Sequence, residues 1–77
     1  MKNKALDRNI PFGNNVAVAR KERNMTQTDL AESVGVSRNS ISSIETGEYC
    51  PSARLAAMIC YVLDKTFEEL FFIKWND

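Results

Sequence analysis

The 77-residue sequence contains no histidine, only two cysteines and only three glycines, and its ten basic residues balance its ten acidic ones. Without histidine, Cys50 and Cys60 cannot complete the four-ligand set of a zinc site, so we expect no metal and no cofactor. The two cysteines are not spaced as a CxxC pair. We expect free thiols with structural roles, Cys60 in the core and Cys50 in a loop.

Several signatures of enzymes and membrane proteins are also missing. The sequence has no glycine-rich phosphate-binding loop and no Ser-Lys dyad of the self-cleaving repressor peptidases, so we expect no enzymatic activity. No run approaches the roughly 18 apolar residues of a membrane span, and Met1 is followed by charged residues rather than by a secretory signal. We therefore expect a cytoplasmic protein with reduced thiols and no membrane partner.

The length of the chain limits the size of its core. Chains below about 80 residues have modest cores and often depend on disulfides, a metal or a partner subunit. The hydrophobic content of 44% still indicates one globular domain. Because a disulfide and a metal are disfavoured, the sequence favours a partner subunit.

The charge is neutral overall but unevenly distributed. Nucleic-acid-binding proteins usually have an excess of Lys and Arg, so the zero net charge gives no support to that function. Residues 1–13 contain three basic residues and one acidic residue, whereas residues 64–77 contain two basic and four acidic residues. The two ends of the chain are therefore expected to serve different surfaces.

Capping residues and apolar spacing predict an all-α domain of five short helices. Polar residues suited to helix starts precede each apolar stripe: Asn14 or Asn15, Thr26 with Asp29, Ser37, Ser52, and Thr66 with Glu69. The residues suited to helix ends in a left-handed conformation are Asn24, Gly35 and Gly47. We divide the chain into an N-terminal arm (1–13), a helical domain (14–71) and a C-terminal tail (72–77).

The second and third predicted helices are joined by a tight turn at Gly35 and Val36. Two helices joined in this way form a helix-turn-helix unit, whose second helix can lie in the major groove of DNA. That helix spans 37–46, and its outer face carries Arg38, Asn39, Ser42 and Ser43. A solvated helix face favours Glu and Lys, which are better helix formers than Ser or Asn. The serine-rich face is therefore more typical of a surface that contacts DNA.

The stretch TQTDLAESVGVSRNSISSIETGEYCPS (residues 26–52) resembles the helix-turn-helix domain of the Cro/cI-type, or xenobiotic-response-element, family. The matching positions are Thr26-Gln27, Leu30-Ala31, Gly35-Val36-Ser37, Ile41-Ser42, Glu45, Gly47 and Pro51-Ser52. The resemblance runs from about Phe12 to Phe71 and implies a five-helix lambda-repressor-like domain. It also implies a transcriptional regulator, most simply a repressor, that acts as a homodimer on palindromic double-stranded DNA.

The resemblance implies base contacts on the third helix. Arg38 and Asn39 are its first exposed residues and would enter the groove most deeply. Arg can bond guanine O6 and N7 together, and Asn can bond adenine N6 and N7. Ser42 and Ser43 lie one turn further on and would contact bases or phosphates.

The resemblance also implies phosphate contacts and one structural ion pair. Gln27 would bond a phosphate and support the start of the third helix, and Thr26 and Ser37 lie at helix N-termini that favour an anion. Arg20 and Glu45 match a pair that forms a structural salt bridge in the family.

The sequence departs from the family pattern after Gly47. Relatives often carry Lys or Arg there, which bind the phosphate backbone, whereas this chain has Glu48 and Tyr49. Residues 14–50 contain four basic and five acidic residues. Phosphate attraction per subunit is therefore expected to be weak, which makes binding dependent on dimerisation, on the basic N-terminal arm, or on both.

The C-terminal segment LFFIKWND is rich in apolar and aromatic residues. As an extended segment it places Phe71, Ile73 and Trp75 on one side and Phe72 on the other. Either these residues are buried against the chain's own helices, or they form a short strand or aromatic patch that pairs with a second subunit. The segment resembles the tails of small single-domain repressors such as the cytolysin repressor, in which a terminal β-ribbon accompanies dimerisation. We expect all four residues to contribute to a dimer, and the N-terminal arm could supply a partner strand.

A second interpretation belongs to another functional class. The chain could be a protein-binding module, such as an antitoxin-like partner that holds another protein through its aromatic tail, with DNA binding secondary. The neutral charge favours this alternative, whereas the Arg38-Asn39 face and Gln27 favour DNA.

Overall fold

The structure is a computed structural model and describes residues 10–74. Five helices lie between two short strands, in the order β1 (Phe12–Asn14), α1 (Val16–Glu22), α2 (Gln27–Val34), α3 (Arg38–Thr46), α4 (Ala53–Leu63), α5 (Phe67–Leu70) and β2 (Phe71–Ile73). The prediction of an all-α, five-helix lambda-repressor-like domain is confirmed, and the short terminal strands that the sequence left as one alternative are present.

Hydrogen bonds from side chains to the backbone start α2 through α5 at the predicted residues. Thr26 Oγ1 accepts a bond of 3.0 Å from the Asp29 backbone, and the Asp29 carboxylate accepts one of 2.8 Å from the Thr26 backbone. The same reciprocal pair joins Thr66 and Glu69 at α5. These bonds satisfy backbone N–H groups that have no partner within the helix. They also lower the pKa of Asp29 and Glu69.

The start of α1 is built by two asparagines in a different way. Asn15 occupies the N-cap position, but its side chain makes no cap bond. Asn14 Oδ1 accepts instead from the Val16 backbone at 3.1 Å, and Asn14 Nδ2 donates to the Ile44 carbonyl at 2.9 Å. Asn15 Nδ2 donates to the Glu69 carbonyl at 3.2 Å. The two side chains therefore connect the first helix to α3 and α5.

Left-handed residues end the helices where the sequence places them, with one addition. Asn24 has a φ of 57°, Gly35 of 74° and Gly47 of 86°. Asp64 ends α4 with a φ of 55°, a position that the sequence prediction does not include. Asp tolerates this conformation better than most residues because its short side chain can bond locally.

The two strands form an antiparallel ribbon that pairs the ends of the domain. Phe12 lies opposite Ile73, Gly13 opposite Phe72 and Asn14 opposite Phe71. A Cβ atom at Gly13 would lie 2.5 Å from Lys74 Cε and 2.6 Å from Phe72 Cε1, so this position requires glycine or a shift of both side chains. Residues 12 and 13, which the division of the chain assigns to the N-terminal arm, therefore belong to a strand. The proposed boundaries at 13/14 and 71/72 both fall inside strands, and residues 1–9 of the arm lie outside the described part of the chain.

One hydrophobic core lies between the helices and the ribbon. Its buried apolar residues come from all five helices and β2: Val16, Ala19, Leu30, Ala31, Val34, Ile41, Ile44, Ala56, Ile59, Leu63, Leu70 and Phe71. Cys60 packs against this core, Cys50 is exposed, and both are free thiols, as predicted. Within residues 10–74 no helix is long and apolar enough to cross a membrane.

Candidate nucleic-acid interface

The helix pair α2–α3 has the geometry of a helix-turn-helix unit. Gly35 ends α2 in a left-handed conformation, and Val36 donates a backbone bond of 3.0 Å to the Ala31 carbonyl. Ser37 then starts α3, and its side chain accepts a bond from the Ser40 backbone. Leu30 and Ala31 of α2 are buried in the core, as are two residues of α3. The turn and the core packing together fix α3 against α2, and within residues 10–74 they leave its opposite face free.

The buried isoleucines of α3 define which residues lie on that free face. Ile41 and Ile44 are almost completely buried. With 3.6 residues per turn, the side opposite to them carries Asn39, Ser42, Ser43 and Thr46. Asn39 and Thr46 are exposed, and the two serines are half-buried. Thr46 is absent from the sequence prediction, although its spacing of four from Ser42 indicates the same face.

Arg38 lies on the flank of α3 that faces α2. Its Nη1 donates a hydrogen bond of 2.8 Å to Gln27 Oε1. Gln27 Nε2 in turn donates to Glu45 Oε1 at 3.0 Å. Because the guanidinium has five N–H donors, this bond leaves donors free for a bidentate contact. Through this bond Gln27 of α2 contacts Arg38, the first residue of α3.

The predicted pair of Arg20 and Glu45 is present and nearly buried. Arg20 Nε lies 2.7 Å from Glu45 Oε2, and Arg20 Nη2 donates to Glu45 Oε1 at 3.2 Å. A third bond of 2.8 Å runs from Arg20 Nη1 to the Met25 carbonyl. The side chains are 9% and 8% exposed, respectively. We call the connected set Arg20, Glu45, Gln27 and Arg38 the polar network; it links α1, α2 and α3.

The polar network shifts the pKa of both members of the ion pair. The hydrogen bond to Glu45 raises the pKa of Arg20, against the opposing effect of burial. Burial acts to raise the pKa of Glu45, but the hydrogen bonds from Arg20 and Gln27 and the positive charges of Arg20 and Lys21 together outweigh it. The pKa of Glu45 is therefore lowered. Both shifts favour the ionised pair at neutral pH.

We expect acid to weaken the domain through Glu45. A carboxylate with a lowered pKa in the folded state stabilises that state fully above its ordinary pKa of about 4.3, and this contribution is lost as the pH falls through the lowered value. The thermal midpoint should therefore fall below about pH 4, and it should fall less in Glu45→Gln. The Glu45→Gln variant should still lose some stability in acid, because the pKa values of Asp29 and Glu69 are also lowered. Thermal unfolding followed by circular dichroism between pH 3 and 7 measures this, with the exposed Glu32→Gln as the control. Equal acid losses in Glu45→Gln and the wild type would contradict the expectation.

The predicted phosphate-binding residues Thr26 and Ser37 already have partners. The backbone N–H of Thr26 donates to Asp29, and the Ser37 side chain contacts both the backbone and the hydroxyl of Ser40. In the first turn of α2, the backbone N–H groups of Gln27 and Thr28 have no partner within the helix. An anion at this end of α2 would bond to those groups first.

The predicted dimerisation residues fall into three different environments. Phe71 is 2% exposed and stacks on Phe12 and Phe67, with ring centroids 6.0 Å and 5.1 Å away. Phe72 and Ile73 are half-buried. Trp75 lies outside the described residues. The chain thus buries Phe71 by itself, whereas Phe72 and Ile73 retain surface for a partner.

Comparison with known proteins agrees with the geometry of α2 and α3. The helix-turn-helix family HTH_3 matches residues 16–70, from the first residue of α1 to the last of α5. The chain belongs to this family. It is of the Cro/cI type, and it is a DNA-binding regulator rather than an enzyme.

Individual relatives of this helix-turn-helix protein are similar over most of its length. It is 36% identical over 74 residues to the uncharacterized HTH-type transcriptional regulator YgzD of Bacillus subtilis, with 96% of each chain covered. A crystal structure of a candidate DNA-binding protein from Bacteroides fragilis superposes with a TM-score of 0.73 at 26% identity, over 79% of this chain and 98% of the other. The antitoxin PezA of Streptococcus pneumoniae is 34% identical over 59 residues, which cover 77% of this chain and 37% of PezA.

Proposed function

We propose that the protein is a cytoplasmic, sequence-specific transcriptional repressor that binds a palindromic operator as a homodimer. The observation that carries this proposal is the free face of α3, polar and short in its side chains, next to an arginine that Gln27 holds in place. In this role α3 lies in the major groove. Occupation of promoter DNA then blocks transcription without any further activity.

The side chains have distinct roles in the proposed complex. Arg38 and Asn39 contact base edges, because their guanidinium and amide groups match guanine and adenine in bidentate geometry. Ser42 and Ser43 contact bases or phosphates further along the groove. The phosphate contacts come from the N-termini of α2 and α3, at Thr26, Gln27 and Ser37, and in α2 the backbone N–H groups without an intrahelical partner bond to the phosphate first.

A homodimer is part of the proposal because one subunit offers little charge. Residues 14–50 contain four basic and five acidic residues, so the electrostatic attraction of one subunit to phosphate is small. Two linked subunits raise the affinity because the second contact is intramolecular. The half-buried Phe72 and Ile73 of β2, together with Trp75, are the proposed contacts between subunits.

Selection from a random double-stranded DNA library at physiological salt tests the proposed function. The wild type should enrich a palindromic motif, and the double variant Arg38→Ala, Asn39→Ala should lose or relax it. Lys65→Ala, which removes the same charge outside α2 and α3, should select the wild-type motif. A motif without two-fold symmetry would contradict the dimer, and no enrichment by the wild type would contradict sequence-specific binding.

The similarity to PezA favours a second candidate function. In this alternative the chain is an antitoxin-like module that binds a partner protein and contacts DNA secondarily. An unenriched DNA library together with a partner protein that co-purifies stoichiometrically would support it over the repressor.

A further inference from the structure

A small surface cavity next to the free face of α3 has no role in the contacts described above. The cavity has a volume of about 270 Å³ and is lined by Asn39, Ser40, Ser43 and Tyr49. Its walls are mainly apolar although three of the four residues have short polar side chains. It lies on the flank of α3 opposite to Arg38.

The backbone holds Tyr49 against α3. Gly47 turns the chain in a left-handed conformation, and the Tyr49 backbone N–H then donates to the Ser43 carbonyl at 3.1 Å. The side chain remains 48% exposed. The Tyr49 residue thus lines one cavity with Asn39 and Ser43, both of which the proposed function places in the major groove.

The charge next to Tyr49 argues against a phosphate as its ligand. Glu48 precedes it, and the Glu48 carboxylate accepts a hydrogen bond of 3.2 Å from Thr46 at the end of α3. This carboxylate repels a phosphate group close to the ring. The C5-methyl group of thymine is uncharged, projects into the major groove and is recognised by apolar contact.

We propose that Tyr49 is a specificity-determining residue and that its ring, with Asn39 and Ser43, forms a pocket for a thymine methyl group in the operator. The inference rests on the proposed function. It extends base recognition beyond the third helix to the loop that follows, and it assigns recognition of a T·A pair to that loop.

Replacement of single thymines by deoxyuridine in the selected operator removes one methyl group at a time and tests this inference. For the wild type we expect one position in each half-site where deoxyuridine weakens binding about fourfold, the value of one buried methyl group. Substitution in both half-sites should weaken binding about fifteenfold. Tyr49→Ser should abolish this penalty, whereas Tyr49→Phe, which keeps the ring, should retain it. Because Tyr49 is half-exposed, neither variant should shift the thermal midpoint, which serves as the folding control.

The possible outcomes separate this inference from the proposed function. A penalty that persists in Tyr49→Ser would overturn the pocket. A uniform loss of affinity in Tyr49→Phe with an unchanged salt dependence would identify a phosphate contact through the hydroxyl, since a neutral group releases no counterions, and would also overturn the pocket. In both cases the wild type still selects a motif, so the repressor proposal stands. If the wild type selects no motif, the proposed function fails and the inference fails with it.

Discussion

Replacing Arg20 by methionine while Glu45 stays in place is expected to reduce the free energy of unfolding by about 3–5 kcal/mol. The Glu45 carboxylate is 8% exposed, so the variant leaves a nearly buried charge with Gln27 as its remaining side-chain partner. The Met25 carbonyl also loses its bond from Arg20. Since the core of a chain of this length supplies only about 3–5 kcal/mol of stability, the variant should be close to unfolded at 37 °C. Urea unfolding measured by circular dichroism gives this value.

The double variant Arg20→Met, Glu45→Leu separates the cost of an unpaired charge from the value of the ion pair. Removal of both charges replaces the pair by apolar side chains, which is often neutral for stability. We therefore expect the double variant to be more stable than Arg20→Met alone. If the single variant lost less than about 1 kcal/mol, the ion pair would behave as a solvent-exposed one.

The parts of the fold that depend on short stretches of chain could be predicted from the sequence. Thr26 with Asp29, and Thr66 with Glu69, form the expected caps because each bond spans only three residues. Gly35 and Gly47 end helices for an equally local reason, their tolerance of a positive φ. Strand β1 could not be predicted in this way. Phe12 and Gly13 become a strand only because β2, about 60 residues away in the sequence, pairs with them.

The candidate site shows the same division between local and distant effects. The helical period of α3 predicts that Asn39, Ser42 and Ser43 lie on one face, and it indicates Thr46 as well. The family resemblance implies the Arg20–Glu45 pair. Neither the helical period nor the family resemblance predicts the bond between Gln27 and Arg38, because this bond depends on where two side chains from different helices meet.

Replacing Arg38 by alanine is expected to weaken operator binding by about 1–3 kcal/mol per half-site, and by twice that on a symmetric operator. The loss should be confined to one base-pair position in each half-site, because only the proposed guanine contact disappears. Arg38→Lys serves as the control: it keeps the charge but not the planar bidentate geometry, so it should restore salt dependence without restoring base preference. Titration of labelled operators by fluorescence anisotropy measures both. Retention of the wild-type base preference by Arg38→Ala would remove Arg38 from the recognition surface.

A double-mutant cycle between Gln27 and Arg38 tests whether the polar network sets that contact. Gln27→Ala frees the Arg38 side chain, so part of the binding energy of Arg38 should already be lost before it is replaced. The two substitutions together should then cost less than the sum of the single ones, with a coupling of about 0.5–3 kcal/mol. If Gln27 acted only through its own phosphate contact, the two costs would add to within about 0.5 kcal/mol. Because Gln27 also donates to Glu45, the unfolding free energy of each variant must be measured alongside binding. If the two substitutions are coupled in binding but not in stability, Gln27 acts on DNA binding by orienting Arg38. The ion pair would then contribute to base recognition through the bond between Gln27 and Glu45.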